Sequence, residues 1–278
     1  LPEHFKVADW EGLKPYFDQL LEANINSEAE QIKWFEQKSE LEAVVSEDMA
    51  WRYIKMTCNT ADKNLAEAYE FFVRKIQPHI APYVDKLNKK ALASPYLNEL
   101  KQQRGFDIMI REMEKDVQIY REENIALETE IQSKSQQYGA ISGAMDVTHN
   151  GQEVTLQQAA VLLQSTDRAL RAEIYHKIGD RRLVDSDKLD SLFNELIQLR
   201  NEVAQNAGFH NFRDYMFTAL GRFDYEPKDC FNFHDSVQSE VVPLLNNIAM
   251  ERKQNLKVTD LKPWDKAVDV TGKKALEP

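Results

Sequence analysis

Glycine and proline are scarce in this sequence, at nine each among 278 residues. So few turn-formers leave little room for many short strands and favour long helices. Cysteine is scarcer still. Cys58 and Cys230 stand far apart and form no C-x-x-C pair, so neither a disulfide framework nor a zinc ribbon is supported, and two buried free thiols suited to a reducing cytoplasm are expected. No apolar run approaches the roughly 18–20 residues that a membrane-spanning helix requires, and no signal peptide is recognisable. A cytoplasmic location is therefore expected. Positive charge is short as well: 35 Lys and Arg face 46 Asp and Glu, for a net charge of −11. An acidic chain without a basic stripe binds phosphate backbones poorly, because that affinity comes mainly from counterion release, and the same sign disfavours anionic membranes. Neither nucleic acid nor membrane is an expected partner. What remains, 42% hydrophobic and 29% charged, is an ordinary globular balance, long enough for one or two domains. The chain begins at Leu1 rather than Met and is expected to be a trimmed piece of a longer protein.

Helical periodicity dominates what is present. Ile32, Trp34, Phe35, Leu41, Val44, Val45, Trp51 and Ile54 predict one or two amphipathic helices over 27–57, and a second stretch runs over about 61–76. Pro78 and Pro82 then predict a break or kink, since proline lacks an N–H and clashes with the preceding turn. Phe106, Ile110, Met113, Val117, Tyr120, Asn124, Leu127 and Ile131 alternate steps of four and three, which predicts a coiled-coil-like seam with Asn124 as its polar intruder. The stretch 139–155 departs from the helical pattern. Asn150-Gly151 at its centre is a type I′ turn signal, because both positions tolerate positive φ, and it predicts strands near 144–148 and 152–155. Thr155, Asp167, Ser186 and Asn211 read as helix N-caps. Leu170, Ile174 and Ile178 face inward in the helix after Asp167, and Leu189, Leu192, Phe193, Leu196, Leu199 and Val203 in the next, which Gly208 ends. Pro227 suits the first position of a helix to about residue 257, kinked near Pro243. From Lys262 the chain reads as extended. Arg168, Arg171, Lys177, Arg181 and Arg182 form a basic patch balanced by Glu173, Asp180, Asp185 and Asp187, and it reads as a solvated, salt-bridged helix face. The expected fold is all-α, with long antiparallel helices and one small β-hairpin near residues 144–155.

The chemistry is defined first by what is missing. The histidines are His4, His79, His149, His176, His210 and His234, and none belongs to H-E-x-x-H, the spacing that sets two imidazoles on one helix face beside a general base. His176 with Asp180, and His210 with Asp214, lie four apart on predicted helices and read as surface hydrogen bonds rather than ligand pairs. His234-Asp235 are adjacent and diverge. Gly139, Gly143 and Gly151 do not form a phosphate-binding loop, and no G-x-S-x-G elbow occurs. Glu122-Glu123 read as a solvated face, and Tyr53, Tyr69, Phe71 and Phe72 as core.

Ordered phrases add to this reading. They are 89–97 (KKALASPYL), 120–125 (YREENI), Gly143-Ala144-Met145 with the hairpin, and 155–159 (TLQQA). Asp167-Arg168 through Arg181-Arg182-Leu183 follows, then 206–215 (NAGFHNFRDY) and 222–230 (RFDYEPKDC). Taken in this order they resemble the N-terminal half of the oligoendopeptidase F-type zinc peptidases, relatives of thimet oligopeptidase. The resemblance implies a helical protein with an internal channel that admits short peptides. It implies zinc held by H-E-x-x-H and a later Glu, with the motif's Glu activating zinc-bound water, and downstream His and Tyr groups stabilising the oxyanion. Those positions would lie beyond Pro278. No catalytic residue and no metal ligand is therefore assigned here, no zinc is expected in this chain, and substrate-binding residues stay unassigned. On this reading 1–140 is an N-terminal helical region, and 141–278 is a hairpin-plus-helix region leading into an incomplete catalytic domain. The segment would form channel wall and cover, with 212–225 either a surface near the catalytic half or, the reading its residues favour, aromatic packing between helices. Apolar surface left uncovered would drive dimerisation or poor solubility, so a homodimer is among the expected states. A non-catalytic helical scaffold, or an interaction module built on the 106–131 seam, is the alternative.

Overall fold

A computed structural model of the chain describes residues 1–2 and 5–273. The helices are α1 (Trp10–Glu22), α2 (Glu28–Cys58), α3 (Lys63–Phe71), α4 (Gln77–Leu92), α5 (Leu97–Leu100), α6 (Phe106–Ile119) and α7 (Asn124–Gly143). Strands β1 (Asp146–His149) and β2 (Gln152–Thr155) follow, then α8 (Leu156–Val161), α9 (Arg168–Val184), α10 (Ser186–Asn206), α11 (Phe212–Ala219), α12 (Pro227–Ser236) and α13 (Val242–Asn255). The fold is all-α with one small antiparallel hairpin, the only sheet among the described residues. The chain divides into two compact units, one of Leu1–Ala140 with Phe193–Asp224, the other of Ile141–Leu192 with the chain from Tyr225 onward.

The first unit is built on the apolar stripes of α1, α2, α4 and α6. Leu13 and Phe17 of α1, Leu87 of α4 and Ile110 of α6 are essentially without solvent access and share one cluster with Trp34 and Leu41 of α2. Each such side chain contributes roughly 1.5–3 kcal/mol by leaving water. The last carbonyls of α1 have no partner within their helix. Trp34 Nε1 donates to Leu20 O at 2.9 Å, and the Lys90 ammonium donates to the carbonyls of Leu20, Leu21 and Ala23. A cation at this negative helix end is doubly favourable. A second cluster joins Val203 and Ala204 of α10, Ala207 just after it, and Tyr215 of α11 to Ile119, Leu127 and Ile131.

Two expectations about long helices change. The prolines do not break the chain. Phe72–Ile76 forms a π turn in which Gln77 N–H reaches back five residues to Phe72 O, and Pro78 follows directly. Val237–Val241 repeats the arrangement, with Val242 N–H bonded to Val237 O just before Pro243. A widened turn thus precedes Pro78 and Pro243, while Pro82 is carried inside α4. The 106–131 seam is also not continuous. Tyr120 is extended (ψ 131°) and ends α6, and the chain turns before α7. Ile110 and Met113 serve the first cluster, while Leu127 and Ile131 serve the second. Asn124, the intruder, is buried at the start of α7, where its Nδ2 donates to Val203 O at 3.0 Å and its Oδ1 accepts from Asn206.

In the second unit the hairpin forms about Asn150 (φ 51°) and Gly151 (φ 76°), pairing Val147 with Val154 and His149 with Gln152. Thr155 caps α8 in a capping box with Gln158, and Met145, Val147, Leu156 and Ala159 pack on Ile174 and Ile178 of α9. The chain from Lys262 is not extended: Pro263–Asp265 is a 3₁₀ turn. Nor is the basic patch wholly solvated. Lys177 pairs with Glu173 and Arg181 with Asp185, but Arg171 is 2% exposed and binds Asp265, which is fully buried. Arg171 Nη2 donates to Asp265 Oδ1 at 2.8 Å, and Arg168 donates to both oxygens at 3.0 and 2.8 Å. Lys262 N–H adds a fourth bond, at 2.9 Å. Other assignments also shift. Phe193, Trp51, Ile54, Tyr53 and Phe71 are exposed rather than inward. Both cysteines are free as expected, but Cys58 is exposed and Cys230 only partly covered.

These bonds, above all that from Arg168, hold the Asp265 carboxyl far below its usual range. Its contribution to stability is therefore present above the unfolded-state value of about 4 and lost as pH falls below it. Asp265→Asn should cost about 3 kcal/mol near neutral pH, because it strips a buried arginine of its counter-charge. In urea melts, the gap between wild type and variant should narrow steadily as the medium is acidified.

Candidate functional site

Among the described residues no histidine is arranged for metal. His79 lies flat on Trp10, ring centres 5.5 Å apart. His176 packs 5.3 Å from Trp264, and His234 stands near Phe231 and Phe233. Asp214, four residues from His210, accepts from Asn211 and Arg213. His4 lies outside the described residues. Among the described residues no group of three or more His, Cys, Asp or Glu could hold a metal ion. The donors among the described residues do not fit a catalytic zinc.

In the stretch 212–225 only Tyr215 is buried, and 222–225 is exposed. Asn211 caps α11 by accepting from Asp214 N–H. This cap aims Phe212 and Tyr215 at α10, where Tyr215 stacks on Phe212 and meets Phe209 edge-on. Further along, Arg222 lies over Phe217 at 4.7 Å and Arg111 over Phe223 at 4.3 Å. Burial pushes the Tyr215 phenol up to about 12, with the Glu128 charge adding to the effect. Glu128 retains surface as a residue. Its carboxyl is nonetheless crowded, which raises its pKa against the lowering effect of the Tyr215 hydrogen bond.

The surface with the clearest need of a partner lies just beyond, on α12 and α13. Neither helix buries a single residue. Val241, Leu244, Leu245 and Ile248 recur at steps of three and four, and Leu244 and Leu245 are 57% and 55% exposed. Apolar stripes this open mark interaction surfaces on folded chains. The sequence reading passed over them because polar residues occupy every face of the same helix. No helix among the described residues is long and apolar enough to cross a membrane.

Residues 2–120 match the family described as peptidase M3 N-terminal domain, and residues 161–273 match peptidase family M3. The sequence matches no curated protein. Among solved structures, a candidate oligoendopeptidase F from Bacillus anthracis str. Ames is similar over 96% of this chain and 49% of its own, with 23% identity and a TM-score of 0.89. PZ peptidase A, solved with an inhibitor, gives 22% identity and a TM-score of 0.89 over 96% of this chain and 48% of its own. Oligoendopeptidase F from Enterococcus faecium gives 15% identity and a TM-score of 0.71, over 94% of this chain and 55% of its own. These likenesses show the fold, and the chain spans about half the length of the structures it matches.

Tyr215 carries a pH consequence. Its folded pKa lies above the usual phenol value of about 10, so the stability linked to it is intact below pH 10 and lost as pH rises toward 12. Relative to Tyr215→Phe, wild type should lose roughly 2 kcal/mol across that window. Chemical denaturation of both proteins at stepped alkaline pH checks this, and a constant difference would refute the assignment.

Proposed function

This chain belongs to the peptidase M3 family, and from that premise we propose that it is the N-terminal portion of a zinc-dependent metalloendopeptidase that hydrolyses short peptides inside an enclosed channel. The observation that carries the proposal is the fold likeness over 96% of this chain to about half of an oligoendopeptidase F-type structure. The family matches at both ends of the chain support it. In this reading the zinc and its H-E-x-x-H ligands belong to the remainder of the parent protein, as does the attack of activated water on the peptide carbonyl. The helices described here contribute wall and cover. Their work is to exclude bulk water and folded proteins, which strengthens electrostatic effects inside the channel. The open apolar face of α12 and α13 is the surface on which the remainder packs, and in its absence a second copy of this chain covers it. The parent works in the cytoplasm.

An internally quenched oligopeptide tests the division of labour. The parent protein should cleave it in a chelator-sensitive way, and this chain with added zinc should not. Chelator-sensitive turnover by this chain alone would overturn the claim that it lacks the centre. A parent reading frame without H-E-x-x-H, or a parent that neither binds added zinc nor cleaves the peptide in its presence, would instead favour the non-catalytic scaffold. Sedimentation of this chain should show self-association that Leu244→Glu with Ile248→Glu abolishes. A monomer at every concentration would contradict the covering role of that face.

A further inference from the structure

The first unit also holds a cavity of about 190 Å³ between the last turns of α2, α3 and the C-terminal half of α7. It has no part in the proposed function. Its floor is apolar. Met56 and Tyr69 are each 5% exposed and pack together with Val73, and Ile131 of α7 adds to the lining. The Tyr53 ring, half exposed near the end of α2, meets the Tyr69 ring at 5.7 Å with a 57° tilt. Over α7 the space is open, because a Cβ on Gly139 would have no neighbour within 4 Å. Among the described residues none that lines this cavity is charged, although 29% of the chain is.

The polar groups on the wall give and accept alike. The hydroxyls of Tyr53, Tyr69 and Ser135 can each do both, and the amides of Gln132 and Gln136 bring donors as well as acceptors. Thr57 is already engaged, donating to the carbonyls of Tyr53 and Ile54 at 3.0 Å, and Gln132 Oε1 is closed off. Tyr69 differs from both. Its side chain is almost wholly buried, yet among the described residues its hydroxyl meets no hydrogen-bond partner, and its oxygen is not one of the atoms sealed from solvent. Such a hydroxyl needs a partner that arrives through the cavity. Burial, with Tyr53 and the Glu70 charge adding to it, pushes the Tyr69 phenol above its usual value. It therefore stays protonated and able to donate at neutral pH.

We propose that this cavity binds a small neutral phenol, whose ring lies against Tyr53, Met56 and the open backbone at Gly139 while its hydroxyl exchanges hydrogen bonds with that of Tyr69. A phenol hydroxyl both gives and accepts, the complement of this wall. Its ring gains edge-on or offset contacts from the tyrosines and a thioether contact from Met56. The space suits one ring, being smaller than the roughly 300–1,000 Å³ of drug-sized sites. A carboxylate of the same shape would lose its hydration against a wall without counter-charge. A free phenol and a tyrosyl side chain carry the same chemistry.

Ligand-detected NMR titration of the 278-residue chain with p-cresol tests the proposal, with toluene, p-toluate and N-acetyltyrosinamide as comparison ligands. Saturable single-site binding of p-cresol is expected below about 10 mM. Toluene should bind about 10-fold more weakly, and p-toluate should not bind. Both outcomes with N-acetyltyrosinamide support the phenol site: binding equal to p-cresol assigns it to a tyrosyl side chain, and exclusion assigns it to a free phenol. Tyr69→Phe should weaken p-cresol by about 10-fold and leave toluene unchanged, a selective loss that misfolding cannot imitate. Gly139→Leu fills the open space and should abolish binding, while the thermal midpoint holds or rises because leucine suits a helix interior better than glycine. Absence of saturation up to about 20 mM, equal binding of toluene or p-toluate, or indifference to both substitutions would overturn the proposal in favour of a water-filled cleft.

Discussion

Asp265 has no solvent-exposed surface and stays ionised because two arginines and a backbone N–H meet its oxygens. A buried charge without such partners would cost several kcal/mol. Arg252, near the end of α13, donates to Asp265 O and Val268 O, so α9, α13 and the segment after them converge on this one residue. The principle recurs through the chain at smaller scale. Lys90 closes the end of α1, Asn124 satisfies a carbonyl of α10, and Asp185 gathers Arg181 and Lys188 at the joint of α9 and α10. A helical protein with few turn residues exposes many unsatisfied helix ends. This one closes them with long polar side chains from elsewhere in the sequence.

That habit explains what could and could not be read in advance. The hairpin was legible because Asn150-Gly151 states a backbone requirement in two adjacent letters. The caps Thr155, Asp167 and Asn211 were legible for the same reason: each acts within three residues of itself. The Asp265 clamp joins residues 94 and 97 positions apart, and no local pattern encodes it, so the arginines looked like an ordinary solvated patch. The seam from Phe106 to Ile131 was misread because periodicity registers spacing and not continuity. Its polar member, Asn124, marked a helix start rather than a flaw in a long helix.

The same blindness applies to the functional surfaces. Polar residues on a helix read as solvent-facing, yet Gln132 and Ser135 of α7 line a cavity. Apolar residues dispersed among polar ones give no stripe signal, yet on α12 and α13 they stand open. In both cases the deciding fact is what lies opposite, which belongs to the tertiary structure. The family relationship is legible from the order of phrases, and no H-E-x-x-H occurs among these 278 residues.

The widened turn at Phe72–Ile76 has a consequence for the azimuth of everything after it. A π turn carries one residue more than an α turn, and each residue advances a helix by about 100°. Deleting a single residue there would let an α turn replace the π turn with the phase of Gln77, Asp85 and Asn88 kept, whereas regularising the turn with all five residues retained would swing them by about 100°. The local irregularity therefore absorbs one residue and preserves the phase of α4.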